Sequence, residues 1–289
     1  MLYRYCGLVI DSDITFPFFK ETSEQPLIKI VVKKNYTFYN QMPAVFLDDG
    51  KIIVNFGEDG YYVIEKNKIV CHFIDEKIIR ATICNLPIAI IALLNNLLPI
   101  HCASVITKNC NKVVLFLGKK GAGKSTLAFN LNKYMSYHIY GDDVVSANSI
   151  DDVIYINHGT SSIKLCKDIL APCHDNLINV KNEVYAGWDK YYYTPREFKN
   201  IINPLQLKDI FIIERGAELA TSTVPEFLNK SYIINNIVGI SYISEILSKE
   251  ILLACNNLSK YRIKKLIIPE GIPNLTENLI CISKIIERC

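Results

Sequence analysis

The chain has 289 residues, half of them hydrophobic and 21% charged, which is enough to bury a sizeable core and too apolar for disorder. Its net charge of +3 is too small to argue for a nucleic-acid partner. Its ten cysteines include no C-x-x-C pair, so buried, reduced thiols in a reducing, cytoplasmic setting are expected, with Cys281 between Ile280 and Ile282 as an example.

The nearest metal-like cluster, Cys166, Cys173 and His174, lacks the usual zinc-ligand spacing. The first five residues lead into a mixed segment, not an apolar signal core. The most apolar run, residues 86–100, is broken by Asn95 and Asn96 and is short for a membrane span, so no membrane association is expected.

Residues 1–74 read as β. Runs at 26–32, 51–56, 61–65 and 69–74 are divided by Gly, Asp and Asn, a pattern of antiparallel hairpins. His72 is read as an ordinary strand residue. Residues 75–98 switch to helix, with Pro87 kinking the element or dividing it in two. The part from 88 to 98 is apolar nearly all round and should be buried.

Residues 103–106 and 113–117 read as strands, and so do 137–140, 153–156, 163–165 and 209–214. The tail reads as helical, with stripes at Ile243, Ile246, Leu247, Ile251 and Ala254, and at Leu279, Ile282, Ile285 and Ile286.

The most informative stretch is Gly118-Lys119-Lys120-Gly121-Ala122-Gly123-Lys124-Ser125-Thr126, which fits G-x-x-x-x-G-K-[ST]. A buried-strand pattern precedes it, and Leu127, Leu131 and Tyr134 follow at helix spacing. Strand, glycine turn and helix start form the setting a phosphate-binding loop requires. Gly118, Gly121 and Gly123 let the backbone aim N–H groups at one point, where the positive end of the helix dipole also lies. Lys124 would reach the β- and γ-phosphates, and the Ser125 hydroxyl would sit on Mg²⁺. Ala122 and Thr126 complete the cradle. The motif specifies a bound nucleotide and leaves its fate open.

A P-loop enzyme also needs an acid at the end of a neighbouring strand. Asp142 and Asp143 stand at the end of the next strand-like segment. Two adjacent acids can divide the work, one on the metal and one accepting the proton of an attacking hydroxyl. His101 precedes the strand beside the P-loop strand. A lone histidine is more often packed than catalytic. Lys164, Lys190, Arg196 and Arg215 are candidate cations for a transferring phosphoryl group. Lys190 and Arg196 bracket an aromatic run beside Trp188, read either as a peptide-docking loop or as a solvated strand edge.

His101-Cys102-Ala103-Ser104, the P-loop and Gly141-Asp142-Asp143 together resemble the HPr kinase/phosphorylase family and its related serine kinases. Residues 5–12 also look like the start of that group. The family has H-G where this chain has His101-Cys102, and K-S-E or K-S-S where Thr126 stands here. The chain therefore looks more like the relatives that tailor ribosomally made peptides, such as lasso-peptide precursor kinases.

The resemblance implies an ATP- and Mg²⁺-dependent kinase acting on a serine hydroxyl. Asp142 would be the general base, His101 would polarise or position it, and Ser125 and Asp143 would hold the metal. It also suggests a homo-oligomer. The resulting expectation is an α/β protein with a small antiparallel β-rich domain, residues 1–98, before a P-loop kinase domain with a helical tail, residues 99–289. The expected acceptor is a peptide or small protein. Phosphorylation of a small metabolite such as free serine is the first alternative. An ATP-dependent binding module without phosphoryl transfer is the second.

Overall fold

The structure, a computed structural model, describes residues 1–33, 42–160, 162–170, 180–183, 190–195, 204–242, 248–269 and 275–288. Cys173, His174, Trp188, Arg196, Ile243, Ile246 and Leu247 lie outside them.

The fold is mixed α/β. The first part of the chain supplies β1 (Leu2–Tyr5), β2 (Leu8–Ser12), β3 (Lys20–Glu21), β4 (Ile28–Lys33), β5 (Ala44–Asp48), β6 (Lys51–Asn55), β7 (Gly60–Glu65) and β8 (Lys68–Phe73). Among the described residues these make an eight-stranded sheet in the order β3-β1-β2-β4-β8-β7-β6-β5. The run from β5 to β8 is the antiparallel meander expected, but the sheet is mixed: β4 lies parallel to both β2 and β8. Alternation within one strand fixes its faces, not its partner's direction.

Two helices follow, α1 (Glu76–Thr82) and α2 (Leu86–Leu94). Pro87 divides the expected helix because a proline fits the first turn, where its missing N–H costs nothing. The two axes meet at 62°, and among the described residues no single helix is long and apolar enough to cross a membrane. Every residue of α2 from Pro87 to Leu93 is buried.

The rest of the chain gives β9 (Leu98–His101), β10 (Ala103–Ile106), β11 (Val113–Leu117), α3 (Lys124–Met135), β12 (His138–Gly141), β13 (Val144–Ile150), β14 (Val153–Asn157), β15 (Ile163–Cys166) and α4 (Lys167–Leu170). Then come β16 (Val180–Glu183), β17 (Lys190–Tyr193), β18 (Leu205–Gly216), β19 (Ala220–Thr223), α5 (Glu226–Ile234), α6 (Lys249–Ser259), β20 (Ile263–Pro269) and α7 (Leu275–Glu287). The central sheet runs β12-β10-β11-β18-β14-β13-β9, with β20 beside β18 and β19 beside β20. A small sheet, β15-β17-β16, stands apart.

The tail is therefore not purely helical. β20 pairs parallel with β18 from Ile263 to Pro269 and extends the sheet. In the last helix Leu279, Ile282 and Ile286 are buried as expected, whereas Cys281 is exposed. Tyr134, placed on the inner stripe of α3 by spacing, is 45% exposed, while Leu127 and Leu131 are buried.

β11 shows how the P-loop is held. It is buried on both faces, so its five residues are all apolar. Alternate side chains enter different cores. Val113, Leu115 and Leu117 join a cluster that continues through α2 into the first sheet, and Val114 and Phe116 join one made with α3 and α7. β11 is parallel to β18 and antiparallel to β10, and β10 is antiparallel to β12. The carboxyl ends of β11, β12 and β18 thus lie along one edge of the sheet.

The start of the chain is fastened to the same edge. The Tyr5 hydroxyl and the Cys6 thiol both donate to the carbonyl of Val144, the residue after the aspartate pair, at 3.3 Å. The Ser146 hydroxyl donates to Cys6 O at 2.7 Å.

Candidate active site

The P-loop turns between β11 and α3. Gly118 has φ +141°, and a β-carbon there would come within 2.7 Å of Ile213 O on the neighbouring strand. Gly123 takes the left-handed conformation at the N-cap of α3, with φ +96°. Both positions need glycine, one for close approach and one for its backbone angle. Lys124 opens the helix and is buried. Its ammonium donates to Gly118 O at 2.8 Å and Lys119 O at 3.2 Å, so it lies along the inside of the loop. Burial, with Lys190 acting in the same direction, holds its pKa below the ordinary lysine value.

The acidic pair sits beside the loop because β12 ends there. Asp142 is 2% exposed. It accepts from the Ser125 hydroxyl at 2.7 Å and from Lys164 N–H at 3.2 Å. Burial first, and then the adjacent Asp143 carboxylate, push its pKa above the ordinary carboxylate range, against the lowering effect of the Ser125 bond. Asp143 has φ 62°, the left-handed region that aspartate tolerates better than most residues. Its side chain is 21% exposed and pairs with the Lys164 ammonium at 2.8 Å.

Burial would raise the Asp143 carboxyl, but the charge and hydrogen bond of Lys164 outweigh it and hold the carboxyl below its ordinary range. Burial would likewise lower Lys164, and Asp143 more than offsets it, so the ammonium stays firmly protonated. Lys164 also donates to Ala81 O at 3.2 Å, which ties α1 to the site.

His101 ends β9, opposite Val144 in the sheet register. Burial first, and then Lys124, lower the pKa of its imidazole, and it borders the same pocket as the two aspartates. That pocket has a volume of about 510 Å³. It brings together His101, the P-loop residues Lys120, Gly121 and Gly123 to Thr126, Asp142, Asp143, Lys164, Lys190 and Arg215, whereas Gly118 and Ala122 of the loop do not line it. Of the candidate cations, Lys164, Lys190 and Arg215 line it, and Arg196 lies outside the described residues. Among the described residues there is no cluster of three or more His, Cys, Asp or Glu able to hold a metal by itself.

Two contributors escaped the sequence. Asn236 accepts from Gly118 N–H through its side chain at 3.4 Å, and its carbonyl accepts from His101 N–H at 2.8 Å. It therefore ties the P-loop to β9. The Thr160 hydroxyl donates to Asp142 O at 3.2 Å, and Val144 N–H donates to the same oxygen at 2.9 Å, fixing the turn between the two aspartates. Neither residue belongs to a motif, so no sequence signal marked them.

The donor set fits a magnesium nucleotide. Ser125 Oγ and Asp142 Oδ1 are hard oxygen ligands side by side, as Mg²⁺ requires. The loop N–H groups and Lys124 suit phosphate oxygens.

No family model and no curated protein matches the sequence. Among solved structures, the chain has a likeness to the Hpr(Ser) kinase/phosphatase from Coxiella burnetii, at 12% identity and a TM-score of 0.32, over 65% of this chain and 96% of that one. At that level the likeness carries no argument about what this chain does.

Proposed function

We propose that this protein is an ATP- and Mg²⁺-dependent kinase that moves the γ-phosphoryl group of ATP to a serine hydroxyl on a peptide or small protein. The observation that carries the reading is the Ser125–Asp142 hydrogen bond next to the Asp143–Lys164 pair. A P-loop hydroxyl touching one strand-end carboxylate, with a second carboxylate beside it that lines the pocket and pairs with Lys164, would provide a metal side and an acceptor side in one pocket.

The loop N–H groups and Lys124 hold the phosphates. Ser125 and Asp142 would hold Mg²⁺, which neutralises charge on the transferring group. Asp143 faces the acceptor. The resemblance implies the reverse order, Asp142 as base and Asp143 on the metal. Two features favour the exchange: Asp142 already touches Ser125, and at 2% exposure it has little room to meet an incoming hydroxyl. Asp143 stays ionised beside Lys164. It can accept a hydrogen bond from the serine hydroxyl and orient it, as the catalytic-loop aspartate of protein kinases does. His101, at the pocket edge, is a positioning residue. A cytoplasmic setting suits the buried free thiols of Cys6, Cys71, Cys84 and Cys102.

The test is product analysis. The protein, ATP and Mg²⁺ are incubated separately with serine-containing peptides and with free serine, and phosphoserine is sought by mass spectrometry. Phosphopeptide supports the reading. Phosphoserine from the free amino acid alone makes the acceptor a metabolite. ATP-tightened peptide binding without any phosphorylated product means a binding module instead.

A further inference from the structure

Arg215 has no part in the scheme above. It stands at the carboxyl end of β18, the parallel neighbour of the P-loop strand. The strand order β12-β10-β11-β18 puts the aspartate pair on one side of the loop and Arg215 on the other. One guanidinium nitrogen, Nη1, donates to Pro269 O at 3.2 Å, at the end of β20, which anchors the head of an otherwise exposed side chain. The rest of the guanidinium lies against Gly123, where any β-carbon would collide with it.

The electrostatics of that position are unfavourable as they stand. Gly123 is the N-cap of α3, so Arg215 faces the positive end of a helix dipole. Lys124 and Lys120 share the pocket with it. Its neighbour Glu214 is taken by Lys265 at 2.9 Å, and among the described residues no carboxylate forms an ion pair with Arg215. A cation anchored next to other cations and a helix N-terminus is arranged for an anion between them.

We infer that Arg215 is a second phosphate-binding residue, which grips the polyphosphate chain from the β18 side while Ser125 and Asp142 hold its other side. The inference rests on the nucleotide reading of the P-loop. It concerns ground-state binding, so it makes no demand on the acceptor or on the choice of base. The fork geometry suits two phosphate oxygens at once, and Nη2 and Nε remain for them once Nη1 is used by Pro269.

The test compares binding of ATP and of inorganic tripolyphosphate by calorimetry, in wild type, Arg215→Ala and Lys124→Ala. Arg215→Gln, which keeps the stem, is run alongside in case the alanine variant melts early. The expected result is a loss on the order of 10-fold in affinity for both ligands in both Arg215 variants. A loss for ATP with none for tripolyphosphate would make Arg215 a nucleoside contact and overturn the inference. Unchanged affinity for both would reduce Arg215 to packing. A wild type that binds neither ligand, or a Lys124→Ala variant that binds both normally, would instead overturn the P-loop reading, and the inference with it.

Discussion

Replacing Lys164 by methionine keeps most of the side-chain stem and removes the charge. The Lys164 side chain is 8% exposed and its partner Asp143 21%, so both groups are largely withdrawn from water. Removing one member of such a pair leaves the other buried without compensation, a loss of about 3–5 kcal/mol when burial is complete. Asp143 keeps partial access to solvent, which lowers the expectation to about 2–3 kcal/mol, roughly a 30- to 150-fold change in the folding constant. The loss of the bond from Lys164 to Ala81 O belongs to the same figure.

The effect should not be additive with Asp143→Asn. Once the carboxylate is gone, nothing is left uncompensated, so the double variant Lys164→Met/Asp143→Asn should regain most of the stability. Urea unfolding of the four proteins gives the coupling energy, expected at about 2–3 kcal/mol, the size of the single loss it cancels. Additive single losses, with coupling below about 0.3 kcal/mol, would refute the view that Lys164 exists to balance Asp143. Phosphoryl transfer should stay lost in the double variant, because stability and chemistry use the same carboxylate differently.

Other outcomes follow from single positions. Gly118→Ala should cost about 1–3 kcal/mol and weaken ATP binding, because the new methyl meets Ile213 O at 2.7 Å. Gly121→Ala, with φ +84° but nothing within 4 Å, should cost only about 1 kcal/mol. Equal urea midpoints for the two variants would remove the close-approach argument. His158 is 6% exposed, with its ring edge-on to Tyr140 at 5.3 Å. Burial first, and then the Lys20 ammonium, push its pKa down to about 3. The unfolded chain takes up that proton near pH 6.5 and the folded one does not. This site therefore contributes fully above pH 6.5 and loses up to about 1.4 kcal/mol per pH unit as pH falls towards 3. Stability of His158→Gln should fall less steeply between pH 6.5 and 5 than wild type, and identical slopes would mean that the imidazole is not held neutral. Asn236→Ala should weaken ATP binding by severing the Gly118 contact while leaving secondary structure intact.

The P-loop was legible because its information is local: three glycines, a lysine and a hydroxyl in one run, between a five-residue apolar strand and a helix start. The aspartate pair was legible for the same reason, since a strand pattern ends right before it. Pairing partners were not. Whether β4 lies parallel or antiparallel to its neighbours depends on contacts far along the chain, so the first sheet reads from its sequence as simple hairpins. β20 was hidden because Lys264 and Lys265 interrupt its apolar run. In the fold they turn to Asp209 and Glu214 on β18. Which of the two aspartates touches Ser125 was also beyond the sequence. The left-handed turn at Asp143 separates the two side chains, and the hydrogen bond from Ser125 marks Asp142 as the one that meets it.

The most direct test sets Asp142→Asn beside Asp143→Asn in a quantitative transfer assay with a phosphorylated peptide as product, together with Mg²⁺-dependent ATP binding. The account predicts that Asp143→Asn abolishes transfer while Mg²⁺ still tightens ATP binding as in wild type, and that Asp142→Asn loses that magnesium effect. Normal transfer by Asp143→Asn, or a magnesium effect that disappears with Asp143 and survives the loss of Asp142, would contradict it.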